Sequence, residues 1–208
     1  MFKNLIFDLG GVLYEVDLSR TEQALRALQR DKKVFPKLQY NFTDGVELNC
    51  FDLFEYGRLS DNDFKNELKR NFNLQGNFSD IEAAWKAMLI GPYIENLEFL
   101  KTLKGQYRLF LLSNTNSIHI KYVRKIHPSL FDMFEKSYLS YELNMRKPER
   151  GIFEYALKNS GLAAHESLFI DDLPLNIYGA EELGISTLHV KDAKQLQAGL
   201  SAKLSGEN

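Results

Sequence analysis

The chain has 208 residues, 44% of them hydrophobic and 26% charged, with a net charge of -2. That length holds one sizeable α/β domain and a small accessory domain, in the composition of an ordinary globular protein. The near balance of acids and bases points away from nucleic acid as a partner, and no stretch has the length and uniform apolarity of a membrane span.

Along the chain, the first apolar run is Lys3–Phe7, which ends at Asp8 and is followed by Gly10 and Gly11. It carries no signal-peptide cleavage pattern. The single cysteine, Cys50, can form no intrachain disulfide and reads as a small apolar filler. A reducing cytoplasm is the expected setting. From residue 18 to 92 the pattern is helical, with candidates at Arg20–Arg30, Val46–Tyr56, Phe64–Phe72 and Ile81–Leu89. Ser60-Asp-Asn-Asp63 opens the third of these, and Ser79-Asp-Ile-Glu82 opens the fourth as a capping box. Gly57 and Gly76 mark the turns before them.

Beyond residue 92, helical patterns at Ile94–Leu103, Ile118–Lys125, Glu149–Asn159 and Leu175–Leu183 alternate with apolar runs. Those runs are Tyr107–Leu112 before Ser113, Ser167–Ile170 before Asp171, and Ser186–Val190. Near-continuous apolar strands are what a parallel sheet covered on both faces requires. The fold expected is α/β, a doubly wound parallel (Rossmann-like) sheet, with a small helical cap inserted after the first strand. Residues 1–17 and 93–208 form the core and 18–92 the cap. The polar tail Ser201–Asn208 is expected to fray.

Ligands of such sheets bind beyond the carboxyl ends of the strands. Asp8, Ser113 and Asp171 all sit at strand ends. Asp8 before two glycines can project into a site with little steric cover, although Asp-Leu-Gly-Gly is equally compatible with a simple turn. Ser113 and the N–H groups after it suit a phosphate cradle; the plainer alternative is an N-cap near Ser117 with Ser113 merely exposed. In Met145-Arg146-Lys147-Pro148-Glu149, proline starts a helix and places Lys147 just before it. Lys147 there can neutralise phosphate and carboxylate charge, or be an ordinary solvated lysine. The adjacent carboxylates Asp171 and Asp172 repel each other unless a cation lies close. Asp172 could instead cap the next helix, and Asn176 could reach back to hold either carboxylate.

These four elements, in this order and with a helical insert after the first, resemble the haloacid dehalogenase superfamily across nearly the whole chain. Leu112–Asn116, Met145–Glu149, Asp171-Asp172 and Gly57–Ser60 are similar to the bacterial α-D-glucose-1-phosphate phosphatase group. The resemblance implies a Mg²⁺-dependent phosphatase acting on a small-molecule phosphate ester, a sugar 1-phosphate among the candidates. Asp8 would attack phosphorus, with Ser113 and Lys147 as catalytic partners. Asn114 and Gly11 would bind substrate. Asp8, the Gly10 carbonyl and Asp171 would hold Mg²⁺, with Asp172 supporting the metal shell.

One departure stands out. The superfamily's phosphatases mostly carry a second aspartate two positions after the nucleophile, as acid and base; this chain has Gly10 there. A good leaving group, or Glu15 or Asp17 acting through water, would compensate. The alternatives are a 2-haloacid dehalogenase, which needs no cation, and a degenerate member that only binds a phospho-ligand or a partner. His119 is a candidate for the pocket lining, whereas Trp85, Tyr56 and Phe54 read as helix-packing residues.

Overall fold

The computed structural model describes residues 1–31, 38, 40 and 47–206. In chain order the strands are β1 (Asn4–Phe7), β2 (Tyr14–Val16), β3 (Leu89–Pro92), β4 (Arg108–Ser113), β5 (Lys136–Leu139), β6 (Ser167–Asp171) and β7 (Ser186–His189). The helices are α1 (Leu18–Ala27), α2 (Cys50–Glu55), α3 (Asp61–Asn71), α4 (Phe78–Lys86), α5 (Ile94–Leu103), α6 (Ser117–Ile126), α7 (Pro128–Phe131), α8 (Ser140–Leu143), α9 (Arg150–Ser160), α10 (Pro174–Glu181) and α11 (Leu196–Ser205). Val46, where the second helical pattern was expected to begin, lies outside the described residues, as do the last two residues of the polar tail.

Five strands form one parallel sheet in the order β5-β4-β1-β6-β7. Residues 4–7 of β1 and all five of β6 are buried, which explains their unbroken apolarity. Alternate side chains go to opposite faces. Leu5, Phe7, Leu109, Leu111, Leu168 and Ile170 meet α5, α6 and α11; Ile6, Phe110, Leu112 and Phe169 meet α9 and α10. The chain winds outward from β1 in both directions, so the end of β1 is the topological switch point.

Three expectations need correction. The capping box of α4 is formed by Asn77 and Asp80, two residues earlier than Ser79 and Glu82. Pro148 does not open α9, which starts at Arg150 after a cis Lys147–Pro148 peptide. The N-cap near Ser117 is present, as Asn116, but Ser113 is buried at 2% exposure rather than exposed. Edge strand β5 and the antiparallel pair β2–β3 carry too little apolar pattern to be read from the sequence.

Helices α1–α4 bury their apolar faces on one another. Phe51, Phe54, Phe64 and Trp85 stack at its centre, with Phe54 and Phe64 centroids 4.0 Å apart. Each side chain of this size contributes about 1.5–3 kcal/mol on full burial. The β2–β3 ribbon carries the chain between these helices and the sheet. Among the described residues, no helix is long and apolar enough to cross a membrane.

His119 of α6 ties the two parts together. Its ring stacks on Trp85, its Nε2–H donates to the Trp85 carbonyl at 3.1 Å, and its Nδ1 accepts from Asn116. Burial pushes its pKa down from the usual 6.5 to about 4. Between those values the unfolded chain binds a proton that the folded chain refuses, so stability falls as pH drops through that window. The melting-temperature gap between wild type and His119→Gln should therefore narrow from pH 7 to pH 5; a gap that stays constant would contradict a buried neutral imidazole.

Candidate active site

The sheet registers decide what meets at the switch point. β1 pairs Phe7 with Leu111 on one side and Ile170 on the other, so the next residues reach the same edge. Asp8 continues the ladder with its N–H on the Ile170 carbonyl at 2.9 Å. Oxygens of Asp8, Asp171 and Asp172 all lie within 4.8 Å of one another. Ser113 and Asn114 line the same cavity, of about 380 Å³.

Lys147 is fully buried between two of these carboxylates. Its Nζ lies 2.6 Å from Asp171 Oδ2 and 3.0 Å from Asp8 Oδ1. Asn114 fixes the backbone that carries it: the Lys147 N–H donates to Asn114 Oδ1, and Asn114 Nδ2 donates to the Lys147 carbonyl, both at 2.8 Å. Asp171 receives the Leu173 N–H at 2.8 Å and Asn176 Nδ2 at 3.0 and 3.1 Å. Asn176 thus reaches back to Asp171 rather than Asp172. Asp172 caps no helix; it leans on Gly11, whose φ of 71° and missing side chain leave room for it.

Electrostatics follow from burial. Desolvation raises the Asp8 pKa to about 7; Lys147 pulls it down, while Asp171 and Asp172 push it up. Asp172 rises to about 6, through burial first and the Asp171 charge second. Burial also disfavours the Lys147 ammonium, yet Asp171 and Asp8 outweigh it and hold its pKa above the ordinary lysine value. One cation therefore faces three carboxylates. An all-oxygen donor set carrying excess negative charge suits a hard divalent ion. Asn176 Oδ1 is buried and has no hydrogen-bond partner among the described residues. The residues present fit Mg²⁺.

Glu15 and Asp17 do not line the cavity. Glu15 is exposed on β2, and Asp17 is committed to capping α1 through the Ser19 N–H at 3.0 Å. His119 does line it, from behind.

The sequence reading gave no role to Arg146, Asp52 or Glu55. Arg146 is 2% exposed and bonds Asp52 Oδ1 at 2.7 Å, with Glu55 Oε2 at 3.3 Å. Asp52 also closes the capping box of α2 by accepting the Asn49 N–H at 3.0 Å. Glu55, one turn on, faces the cavity. The available signal was the Asn49–Asp52–Glu55 spacing, which puts both acids on one helix face.

A family model described as a haloacid dehalogenase-like hydrolase matches residues 2–184. A D-ribitol-5-phosphate phosphatase from Bacteroides thetaiotaomicron is 29% identical over 99% of this chain and 100% of that protein. A sesquiterpene phosphatase from Aspergillus oryzae is 27% identical over 92% of this chain and 91% of its own. A HAD family enzyme from Bacteroides thetaiotaomicron, solved with magnesium and inorganic phosphate, superimposes with a TM-score of 0.79 at 35% identity, over 91% of this chain and 94% of that one. These relatives do not carry the narrower resemblance to the glucose-1-phosphate group.

Gly11→Ala tests the packing of Asp172. A left-handed alanine costs about 1–2 kcal/mol, and the added methyl lands inside contact distance of the Asp172 carboxylate. In urea melts the substitution should cost more than that alone, and the excess should vanish in an Asp172→Ala background. Strict additivity of the two changes would rule out the contact.

Proposed function

The chain belongs to the haloacid dehalogenase-like hydrolases, and from that premise we propose that it is a Mg²⁺-dependent phosphatase of small phosphomonoesters with Asp8 as nucleophile. The single observation that carries this reading is the cluster of Asp8, Asp171 and Asp172 around the buried Lys147. In this reading residues 18–92 act as a cap over a core of residues 1–17 and 93–208.

Mg²⁺, held by Asp8, the Gly10 carbonyl and Asp171 with Asp172 beside them, would screen the charge between an anionic nucleophile and an anionic phosphate. Lys147 favours the ionised form of Asp8 and orients it by holding Oδ1, which leaves Oδ2 to attack phosphorus. The Leu9 N–H, at 2.7 Å from Oδ1, fixes the same oxygen. Ser113 and the Asn114 N–H bind phosphoryl oxygens, and Gly11 lets the substrate approach the backbone. The Asp8–phosphorus bond forms as the ester oxygen departs, and water then cleaves the aspartyl phosphate to restore Asp8.

A dehalogenase would need no cation, and the excess negative charge of three clustered carboxylates weighs against it. A degenerate binder has no use for a lysine held between Asp8 and Asp171 at this burial cost.

For the substrate, the ribitol-phosphate relative favours a polyol or sugar phosphate, the class that includes sugar 1-phosphates. A second reading has its own observation: Tyr14, Val16, Leu18, Met88, Leu89 and Ile120 give much of the cavity an apolar wall. That wall, with the sesquiterpene phosphatase relative, favours a phosphate ester with a hydrocarbon chain. A panel run with Mg²⁺ separates them: ribitol 5-phosphate, sugar 1- and 6-phosphates, and a prenyl phosphate. The reading with the higher kcat/KM stands. Asp8→Asn is expected to lose at least 10³-fold in kcat on every substrate, in line with removal of a covalent nucleophile, and EDTA should abolish wild-type turnover. Asp8→Asn with wild-type activity would falsify the mechanism.

A further inference from the structure

We propose that Glu55 is the acid and base of this active site, working from the helical segment in place of a carboxylate beside Asp8. This rests on the phosphatase reading above.

The need comes from chemistry. A sugar or alkyl alkoxide leaves poorly without a proton, and the water of the second step must lose one. Position 10, where such a carboxylate would follow Asp8, is glycine. Glu15 and Asp17 lie off the cavity. Of the carboxylates that line it, Asp8 is the nucleophile and Asp172 stands in the metal cluster; the remaining one is Glu55.

Its position is built rather than incidental. The Asn49–Asp52 capping box fixes the start of α2, and Asp52 locks that helix to Arg146 at 2.7 Å. Glu55 follows by three residues, on the same face, with Oε2 at 3.3 Å from Arg146 Nη2. One buried carboxylate already neutralises Arg146, so Glu55 is an excess acid. The groups acting on it are Arg146, Asp52, Lys147 and Asp8, with Tyr40 also close by. Burial is the largest influence and raises its pKa to about 7, against Arg146, while Asp52 and Asp8 push it further up and Lys147 pulls it down. A carboxyl that exchanges its proton near neutrality is suited to both half-reactions.

In the first step Asp8 Oδ2 bonds to phosphorus, the bond from phosphorus to the ester oxygen breaks, and the Glu55 proton passes to that oxygen to release the alcohol. In the second, water gives a proton to the Glu55 carboxylate as its oxygen bonds to phosphorus. The bond from phosphorus to Asp8 breaks, releasing inorganic phosphate and protonated Glu55. Atoms and charge balance over the cycle.

The test is a leaving-group comparison in Glu55→Gln, which keeps the size of the side chain and an oxygen for Arg146. kcat/KM is measured with Mg²⁺ for 2,4-dinitrophenyl phosphate, whose leaving group needs no proton, and for an alkyl phosphate that the wild type hydrolyses. This ratio reports only steps up to release of the first product. We expect a fall of about 10²–10⁴ on the alkyl ester and less than about fivefold on the dinitrophenyl ester. A purely structural role, or partial misfolding, lowers both alike; equal losses, or no loss on either, overturn the proposal. Asp8→Asn on the dinitrophenyl ester tests the parent reading separately: if it stays active there, the nucleophile is wrong whatever Glu55 does.

Discussion

A lysine ammonium with no solvent exposure, held between two carboxylates, is the constraint on which the rest of the site depends. Burying Lys147 costs several kcal/mol in lost hydration, and only close oxygens on two sides offset it. Asp171 at 2.6 Å and Asp8 at 3.0 Å supply them. Neither would be in place without the sheet, since Asp171 ends β6 and Asp8 directly follows the adjacent parallel β1, whose register sets the two tips level. The amide clamp from Asn114, on the third strand tip, then fixes where the lysine backbone stands. Three strands and one loop are thereby reduced to a single arrangement.

The residue before that lysine performs a different task. Arg146 points into the helical segment, against Asp52, while Lys147 points into the sheet edge. Two successive side chains thus bond to different parts of the molecule, and one short loop joins the charge cluster to the helical segment. A buried pair of this kind costs about 3–5 kcal/mol when one partner is removed. The position of α2 over the cavity is therefore set by the same few residues that set the lysine, and Asn144 adds a bond from its Nδ2 to the Tyr56 carbonyl at 2.9 Å.

Much of this was legible in the sequence, for a physical reason. A strand covered on both faces must be apolar throughout, so the polar residue that ends it stands out; that exposed Asp8, Ser113 and Asp171 together. Where burial is partial, the signal disappears. Strand β5 runs from exposed to buried over four residues, and every residue of β3 is half-buried. The capping box of α4 was misplaced because Asn77/Asp80 and Ser79/Glu82 offer the same pattern two residues apart, and the helix takes the first. The Asn49–Asp52–Glu55 spacing gave only a shared helix face; the burial of Glu55 was illegible because a glutamate at the end of a helix is ordinarily solvated. Its burial depends on Arg146, ninety-one positions further along the chain.

The glycine at position 10 can be read in the same terms. A methyl group built there would meet only Val16, at an ordinary 3.5 Å, and its backbone is not left-handed. Sterics therefore leave room for a side chain. What a carboxylate there would face is electrostatic: three others already crowd the cluster, and desolvation already holds Asp8 and Asp172 well above the usual carboxylate range. A fourth acid on the sheet edge would raise them further unless more positive charge came with it. Under the proposal above the acid comes instead from α2, where Arg146 offsets its charge and Asp8 is the weakest of the influences named on it.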